Sequence, residues 1–205
     1  MPLIIGLTGG IGSGKSEASK RFAARGIVIV DADVVAREVV DPGRAALTQI
    51  STRFGKDILD QHGNLDRSKL REIIFSRPAE KQWLESLLHP IINASIRLQL
   101  AEATTPYVML VSPLLLETQQ FKLVDRILVI DAREQLQIER ASQRDQNNEA
   151  QIRSIMQTQL SRQERCARAD DIIHNHGDIL ELDSQIEKLH QFYLEVAQTH
   201  SSSNQ

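Results

Sequence analysis

Short aliphatic runs, each closed by a polar residue or a glycine, recur along the chain and predict strands. Leu3–Thr8 is the first and ends at a glycine cluster. Ile27–Val30 is the second and runs into Asp31-Ala32-Asp33. Tyr107–Ser112, Arg126–Ile130 and Asp171–His174 complete the series. Helical spacing of apolar residues fills most of the rest. Lys15–Arg25 turns Ala18, Phe22 and Ala23 to one side and is stopped by Gly26. Arg67–Phe75 carries the stripe Leu70, Ile73, Ile74 behind Asp66, a residue suited to cap it. Another stripe, Leu84, Leu87, Leu88, Ile91 and Ile92, crosses His89-Pro90, where the proline is expected to open a new helix. Arg133–Arg144 and Gln151–Arg168 are predicted helical and dense in arginine. Leu180–Ala197 is a closing amphipathic helix, with Leu182, Ile186, Leu189 and Phe192 inward.

The order of these elements predicts an α/β fold. Strands alternate with helices, so the sheet should be parallel and covered on both faces. Residues 34–105 contain no convincing strand and read as a helical insertion between two strands. Ligands of such sheets sit beyond the carboxyl ends of the strands. Those ends are Thr8, Asp31, Ser112, Asp131 and His174.

Composition adds boundaries. The chain has 205 residues, 41% hydrophobic and 25% charged, as expected of a globular protein with one sizeable core. The formal net charge of -3 leaves no global footprint for nucleic acid or an anionic membrane. The first apolar run is broken at Gly6 and has no basic leader, so neither a signal peptide nor a membrane span is expected. A single cysteine, Cys166, rules out an internal disulfide and suits a reducing cytoplasm. It reads as a bland, partly buried thiol. The polar end, "THSSSNQ", is expected to fray.

Gly9–Ser16 satisfies G-x-x-x-x-G-K-[ST], with a strand before it and a helix after. Glycines let such a loop curl its N–H groups around an anion, and the helix start adds positive potential. Lys15 is placed to reach the outer phosphates of a nucleotide, and the Ser16 hydroxyl to hold Mg2+. Asp31 and Asp33 follow the second strand. If the segment stays extended, their i, i+2 spacing puts both carboxylates on one side. One would then serve an acceptor hydroxyl and the other the metal's water shell. The alternative for Asp33 is a helix cap. Arg140 and Arg144 share one helix face, and Arg153, Arg162, Arg165 and Arg168 follow. They read either as a cationic segment for phosphoryl transfer or as a solvated helix face. His89, Glu117, His62, His174 and His176 are each open to a structural reading. No Cys/His grouping has zinc-ligand spacing. There is no N-K-x-D and no L-S-G-G-Q, and aromatic residues make up only 4%, which argues against a GTPase, a transporter-type ATPase and a nucleic-acid motor. A small-molecule or nucleotide kinase remains.

The chain resembles the dephospho-CoA kinase family. The matching stretches are "LTGGIGSGKS" at Leu7–Ser16, "DAD" at Asp31–Asp33 followed by "AREVV", and "LLHPII" at Leu87–Ile92. They continue with "SPLLLE" at Ser112–Glu117, "QRD" at Gln143–Asp145, and "ARADDII" with "NHG" at Ala167–Gly177. The resemblance implies a three-layer P-loop fold with a five-stranded parallel sheet in the order 2-3-1-4-5. It implies transfer of the γ-phosphate of ATP to the ribose 3′-hydroxyl of dephospho-CoA. The same likeness makes residues 1–33, 106–132 and 169–200 the nucleotide-binding core. Residues 34–105 would form the acceptor subdomain, 133–168 a lid and 199–205 a flexible tail.

Carried over residue by residue, Asp33, Lys15 and Arg140 would be catalytic. Gly10, Ile11, Gly12, Ser13, Gly14, Lys15, Ser16, Glu17, Arg144 and Asn175 would bind ATP. Asp33, His89 and Glu117 would line the acceptor, and Ser16 and Asp31 would hold Mg2+. Arg153 is not counted among the catalytic residues. A cytoplasmic enzyme is expected, monomeric or weakly self-associating, with no nucleic-acid or membrane partner. Two other readings fit the loop alone: a P-loop kinase for a nucleoside monophosphate or small alcohol, and an ATP-binding regulatory module.

Overall fold

The computed structural model describes residues 2–145 and 148–203. The first half of the chain runs β1 (Leu3–Thr8), α1 (Lys15–Ala24), β2 (Val28–Asp31), α2 (Ala32–Glu38), α3 (Ala45–Phe54), α4 (Arg67–Ser76) and α5 (Pro78–Glu102). The second runs β3 (Tyr107–Val111), β4 (Arg126–Asp131), α6 (Glu134–Asp145), α7 (Glu149–Gln157), α8 (Arg162–Ala167), β5 (Asp171–His174) and α9 (Ile179–Ser203). Short 3-10 turns at Lys56–Ile58 and Gln119–Leu123 complete the elements. α9 thus continues six residues past Ala197, and residues 204–205 of the expected tail lie outside the described residues.

The five strands form one parallel sheet in the order β2-β3-β1-β4-β5, as the family resemblance implies. The register places Asp31 beside Val111, Leu7 beside Val111, and Asp131 beside His174. The polar residues that close the strands therefore line one edge of the sheet. β1 is central and buried along its whole length, which is why it reads as an unbroken aliphatic run rather than an alternating one.

Two compact units divide the chain: Met1–Asp31 with Leu100–Gln205, and Ala32–Gln99. In the first, α1 and α9 cover one face of the sheet. Leu3, Ile5 and Leu7 of β1 meet Phe22 of α1 and Ile186 and Tyr193 of α9 in a continuous apolar cluster. Each such side chain stabilises the fold by about 1.5–3 kcal/mol. Polar atoms inside the cluster are paired: Tyr107 Oη lies 2.7 Å from His190 Nδ1, and Tyr193 Oη donates to Asp171 at 2.9 Å. Arg21 of α1 and Arg25, which follows it, reach Asp183 and Glu187 of α9 across the rim.

The second unit is helical apart from one isolated bridge between Leu59 and Leu65. Asp66 caps α4 as expected, accepting from the N–H groups of Ser68 and Lys69. Phe54 meets Trp83 edge-on, and Arg53 lies over the Trp83 ring while pairing with Glu80.

Two helix boundaries depart from expectation. Pro90 does not open a new helix; α5 runs through it for 25 residues. The carbonyl that loses its partner belongs to Ser86, which is exposed, as is Pro90, so water can satisfy it. Gln151–Arg168 is not one helix. It breaks after Gln157, and Ser161 starts α8 with a capping box in which its side chain and that of Glu164 satisfy each other's backbone N–H.

Candidate active site

The loop between β1 and α1 carries the phosphate-binding pattern. Gly12 and Gly14 hold φ of +71° and +95°, which other residues rarely adopt. The loop is also closely surrounded. A Cβ on Gly9 would lie 2.5 Å from Ser13 Oγ and 2.7 Å from the Ile130 carbonyl oxygen. A Cβ on Gly12 would meet the backbone of Gln137, and one on Gly14 the side-chain amide of Asn175. That amide donates to the Ser13 carbonyl at 2.7 Å, and Ile11 N–H donates to Gln159 Oε1 at 3.1 Å. Gly14 starts α1, so the helix's open N–H groups face the loop.

The residues present suit a nucleotide's phosphates. The side-chain hydroxyls of Thr8 and Ser13 are buried at the loop and have no partner among the described residues, and buried polar groups of this kind call for one. Lys15 is half-buried, while Ser16 is exposed in the first turn of α1. Asp31, half-buried, closes β2. A hydroxyl and a carboxylate are the hard oxygen donors that Mg2+ prefers.

Folding joins several of the expected residues. Arg140 of α6 donates to the Asn175 carbonyl at 3.0 Å, and Asn175 holds Ser13, so Arg140, Asn175 and the loop form one hydrogen-bonded chain. Arg144, one turn further along α6, is exposed. Glu117 accepts from Leu160 N–H at 2.9 Å, which ties it to the connection between α7 and α8. Glu17 pairs with Arg21 along α1.

In the second unit, Asp33 and His89 are both exposed, Asp33 in the first turn of α2 and His89 on α5. α2 begins at Ala32, so the segment is not extended through Asp33, and the i, i+2 spacing does not align the two carboxylates as expected. Nor does Asp33 precede the helix as a cap; it lies inside it.

Other residues enter the site region without having been singled out as a group. Asp131, at the end of β4, accepts from Arg162 Nε and one terminal nitrogen, both at 2.7 Å. His174 Nδ1 and His176 Nε2 lie 3.2 and 3.5 Å from its Oδ2. The Arg162 guanidinium holds the Asp131 carboxyl down to about 2, against the cost of burial. Burial pulls the His176 imidazole below its ordinary value. The donor atoms of Asp131, His174 and His176 lie within 4.8 Å of one another, a grouping that linear spacing did not reveal. Both carboxylate oxygens already accept from Arg162, so the cluster reads as an ion-pair network. Cys166 is partly buried, and burial raises its thiol. Gln137 is buried, with Nε2 donating to the Ala132 carbonyl at 2.7 Å. Among the described residues no helix is long and apolar enough to cross a membrane.

Comparison with known proteins places this geometry. The family model described as dephospho-CoA kinase matches residues 3–181. A dephospho-CoA kinase of Hahella chejuensis is 53% identical over 196 residues, covering 96% of this chain and 94% of that protein. One from Acinetobacter baylyi is 54% identical over 191 residues, covering 93% and 98%. Among solved structures, the dephospho-CoA kinase from Campylobacter jejuni superposes with a TM-score of 0.72 at 26% identity, covering 98% of this chain and 100% of that one. With the P-loop, the sheet order and near full-length likeness in agreement, the chain belongs to the dephospho-CoA kinase family.

Proposed function

We propose that this chain performs its family's reaction, ATP-dependent phosphorylation of dephospho-CoA to coenzyme A, with the following division of labour. Gly10–Ser16 surround the nucleotide's phosphates, and the N–H groups that the loop leaves open, with the Lys15 ammonium, bind them and neutralise the transferring group. Glu17, Asn175 and Arg144 complete the nucleotide's surroundings, and Arg140 adds a cation to the transferring group. Ser16 and Asp31 are the residues that would hold Mg2+, which supplies further charge neutralisation when bound. The Asp33 carboxylate takes the proton of the ribose 3′-hydroxyl as that oxygen bonds to the γ-phosphorus and the bond from phosphorus to the leaving ADP oxygen breaks. His89 and Glu117 line the acceptor, residues 34–105 hold it, and 133–168 close over the nucleotide.

The observation that carries this reading is the phosphate loop, with its positive-φ glycines and buried unpartnered hydroxyls, in a chain of this family. The hydrogen-bonded line from Arg140 through Asn175 to Ser13 supports the nucleotide half. The net charge of -3 supports a small-molecule acceptor rather than nucleic acid, and the lone cysteine supports a cytoplasmic setting. The test is direct: incubate the protein with Mg·ATP and dephospho-CoA and follow CoA and ADP together. Equal yields of both are expected. ADP formed only with a different acceptor, or nucleotide binding without acceptor-dependent turnover, would overturn the reading.

A further inference from the structure

The connection between α7 and α8 touches the phosphate loop at two places. Gln159 Oε1 accepts from Ile11 N–H at 3.1 Å, across 148 residues of sequence. Arg165, only 6% exposed, lies against Gly10: a Cβ there would sit 2.6 Å from Nη2. Between them, Leu160 is held from both sides. Its N–H donates to Glu117 Oε1 at 2.9 Å, and its carbonyl accepts from Arg165 Nη1. Gln159 N–H also bonds back to the Met156 carbonyl. The Gln159 amide is therefore presented to the loop from a backbone anchored by Glu117, Arg165 and the end of α7. A cavity of about 490 Å³, lined in part by Arg153, Gln159, Arg162 and Arg165, opens beside this segment.

A glycine-rich loop lacks the side-chain contacts that fix peptide orientation elsewhere, and its conformational freedom is large. Its shape must be set by bonds from outside. Such bonds come from Asn175 on the Ser13 carbonyl and Gln159 on the Ile11 N–H. The second fixes the peptide between Gly10 and Ile11, immediately before the N–H groups that the phosphate pattern uses. We propose that Gln159 is a positioning residue for phosphoryl transfer, its amide oxygen orienting the Ile11 peptide so that the loop is preformed for phosphate. The inference rests on the kinase reading above. One hydrogen bond of this kind is worth about three- to tenfold in affinity or rate.

The test uses two variants of the full chain. Gln159→Met keeps the length and volume of the side chain without the acceptor oxygen, and Gln159→Glu keeps an acceptor at the same reach. Each is titrated with ADP, then assayed for kcat and KM, with thermal melting alongside. Q159M is expected to bind ADP about three- to tenfold more weakly and to lose a similar factor in kcat. Its KM for dephospho-CoA should not change, and its Tm should fall by no more than roughly 6 °C. Q159E should recover kcat to within about twofold, because its carboxylate accepts the same bond. Parental ADP affinity and kcat in Q159M, tighter ADP binding in Q159M, or a Q159E as slow as Q159M would each overturn the proposal. The ADP titration needs no acceptor. A parent chain that fails to phosphorylate dephospho-CoA would therefore count against the function, while the titration still judges Gln159.

Discussion

Replacing Gly12 by alanine isolates the steric part of the loop geometry, with Gly26→Ala as its control. Both glycines hold positive φ, +71° and +81°, so an alanine at either incurs the same left-handed backbone penalty of about 1–2 kcal/mol. At Gly26 a Cβ would meet nothing within 4 Å. At Gly12 it would lie 2.9 Å from the Gln137 carbonyl carbon and 3.0 Å from its Cα, with the carbonyl oxygen closer still. Carbon contacts are comfortable from about 3.5 Å, so the loop or α6 must yield by roughly 0.5 Å or more. Gln137 cannot yield easily, because it is buried and its N–H is bonded to the Arg133 carbonyl. Overpacking against such a neighbour costs about 1–3 kcal/mol. G12A should therefore be less stable than G26A by that amount, a Tm gap of roughly 2–12 °C for a chain of this size. Thermal melting followed by circular dichroism measures the gap, and an ADP titration at low temperature measures the loop. G26A should bind ADP like the parent and G12A much more weakly. Equal Tm values and equal ADP affinities would refute the claim that the loop is wedged against α6.

Asp33→Asn should keep ATP binding and lose at least about a hundredfold in kcat, the scale of general-base assistance; near-normal turnover in a coupled ADP assay would remove Asp33 from that role. The Asp131 carboxyl is depressed from 3.8 to about 2 in the folded chain, so it contributes stability that is complete above about pH 4 and fades as pH falls through 2. At 1.36 kcal/mol per unit, and discounting for the partly exposed Arg162, that is about 2 kcal/mol. Urea denaturation between pH 6 and 2.5 should show about two-thirds of this loss in the parent, and Asp131→Asn should be less stable at pH 6 with a flatter slope. Asp66→Ala should cost about 1 kcal/mol through loss of the α4 cap, and an unchanged urea midpoint would mean that the two N–H groups are satisfied another way.

The sheet was legible because each strand is a self-contained aliphatic run. β1 needs no partner to be recognised, and its glycine loop announces a phosphate site. Punctuation was harder. Pro90 reads as a boundary because proline breaks helices in the interior, yet its exposed position lets α5 continue. The break between α7 and α8 was visible in principle: Ser161 and Glu164 form the S-x-x-E pattern of a capping box. The density of arginine across Gln151–Arg168 makes the whole stretch read as one helix. Asp31 and Asp33 were aligned on the premise of an extended chain, and the helix start at Ala32 changes which way each carboxylate leaves the backbone. Least legible was Gln159. Nothing in its own neighbourhood marks it, because its partner Ile11 is supplied by tertiary folding from the other end of the chain; Arg165 stands in the arginine series, but its packing against Gly10 comes from the fold alone.

The bond from Asn175 to Ser13 spans 162 residues, and this has a consequence for biosynthesis. At about 5–20 residues per second, the N-terminal loop is translated on the order of ten to thirty seconds before its partner. For that interval the emerging chain displays the full signature of a phosphate site without one of the side chains that shape it. Nascent chains stalled before β5 should hence ignore nucleotide, and competence should arrive late, when the closing stretch of polypeptide joins the sheet edge.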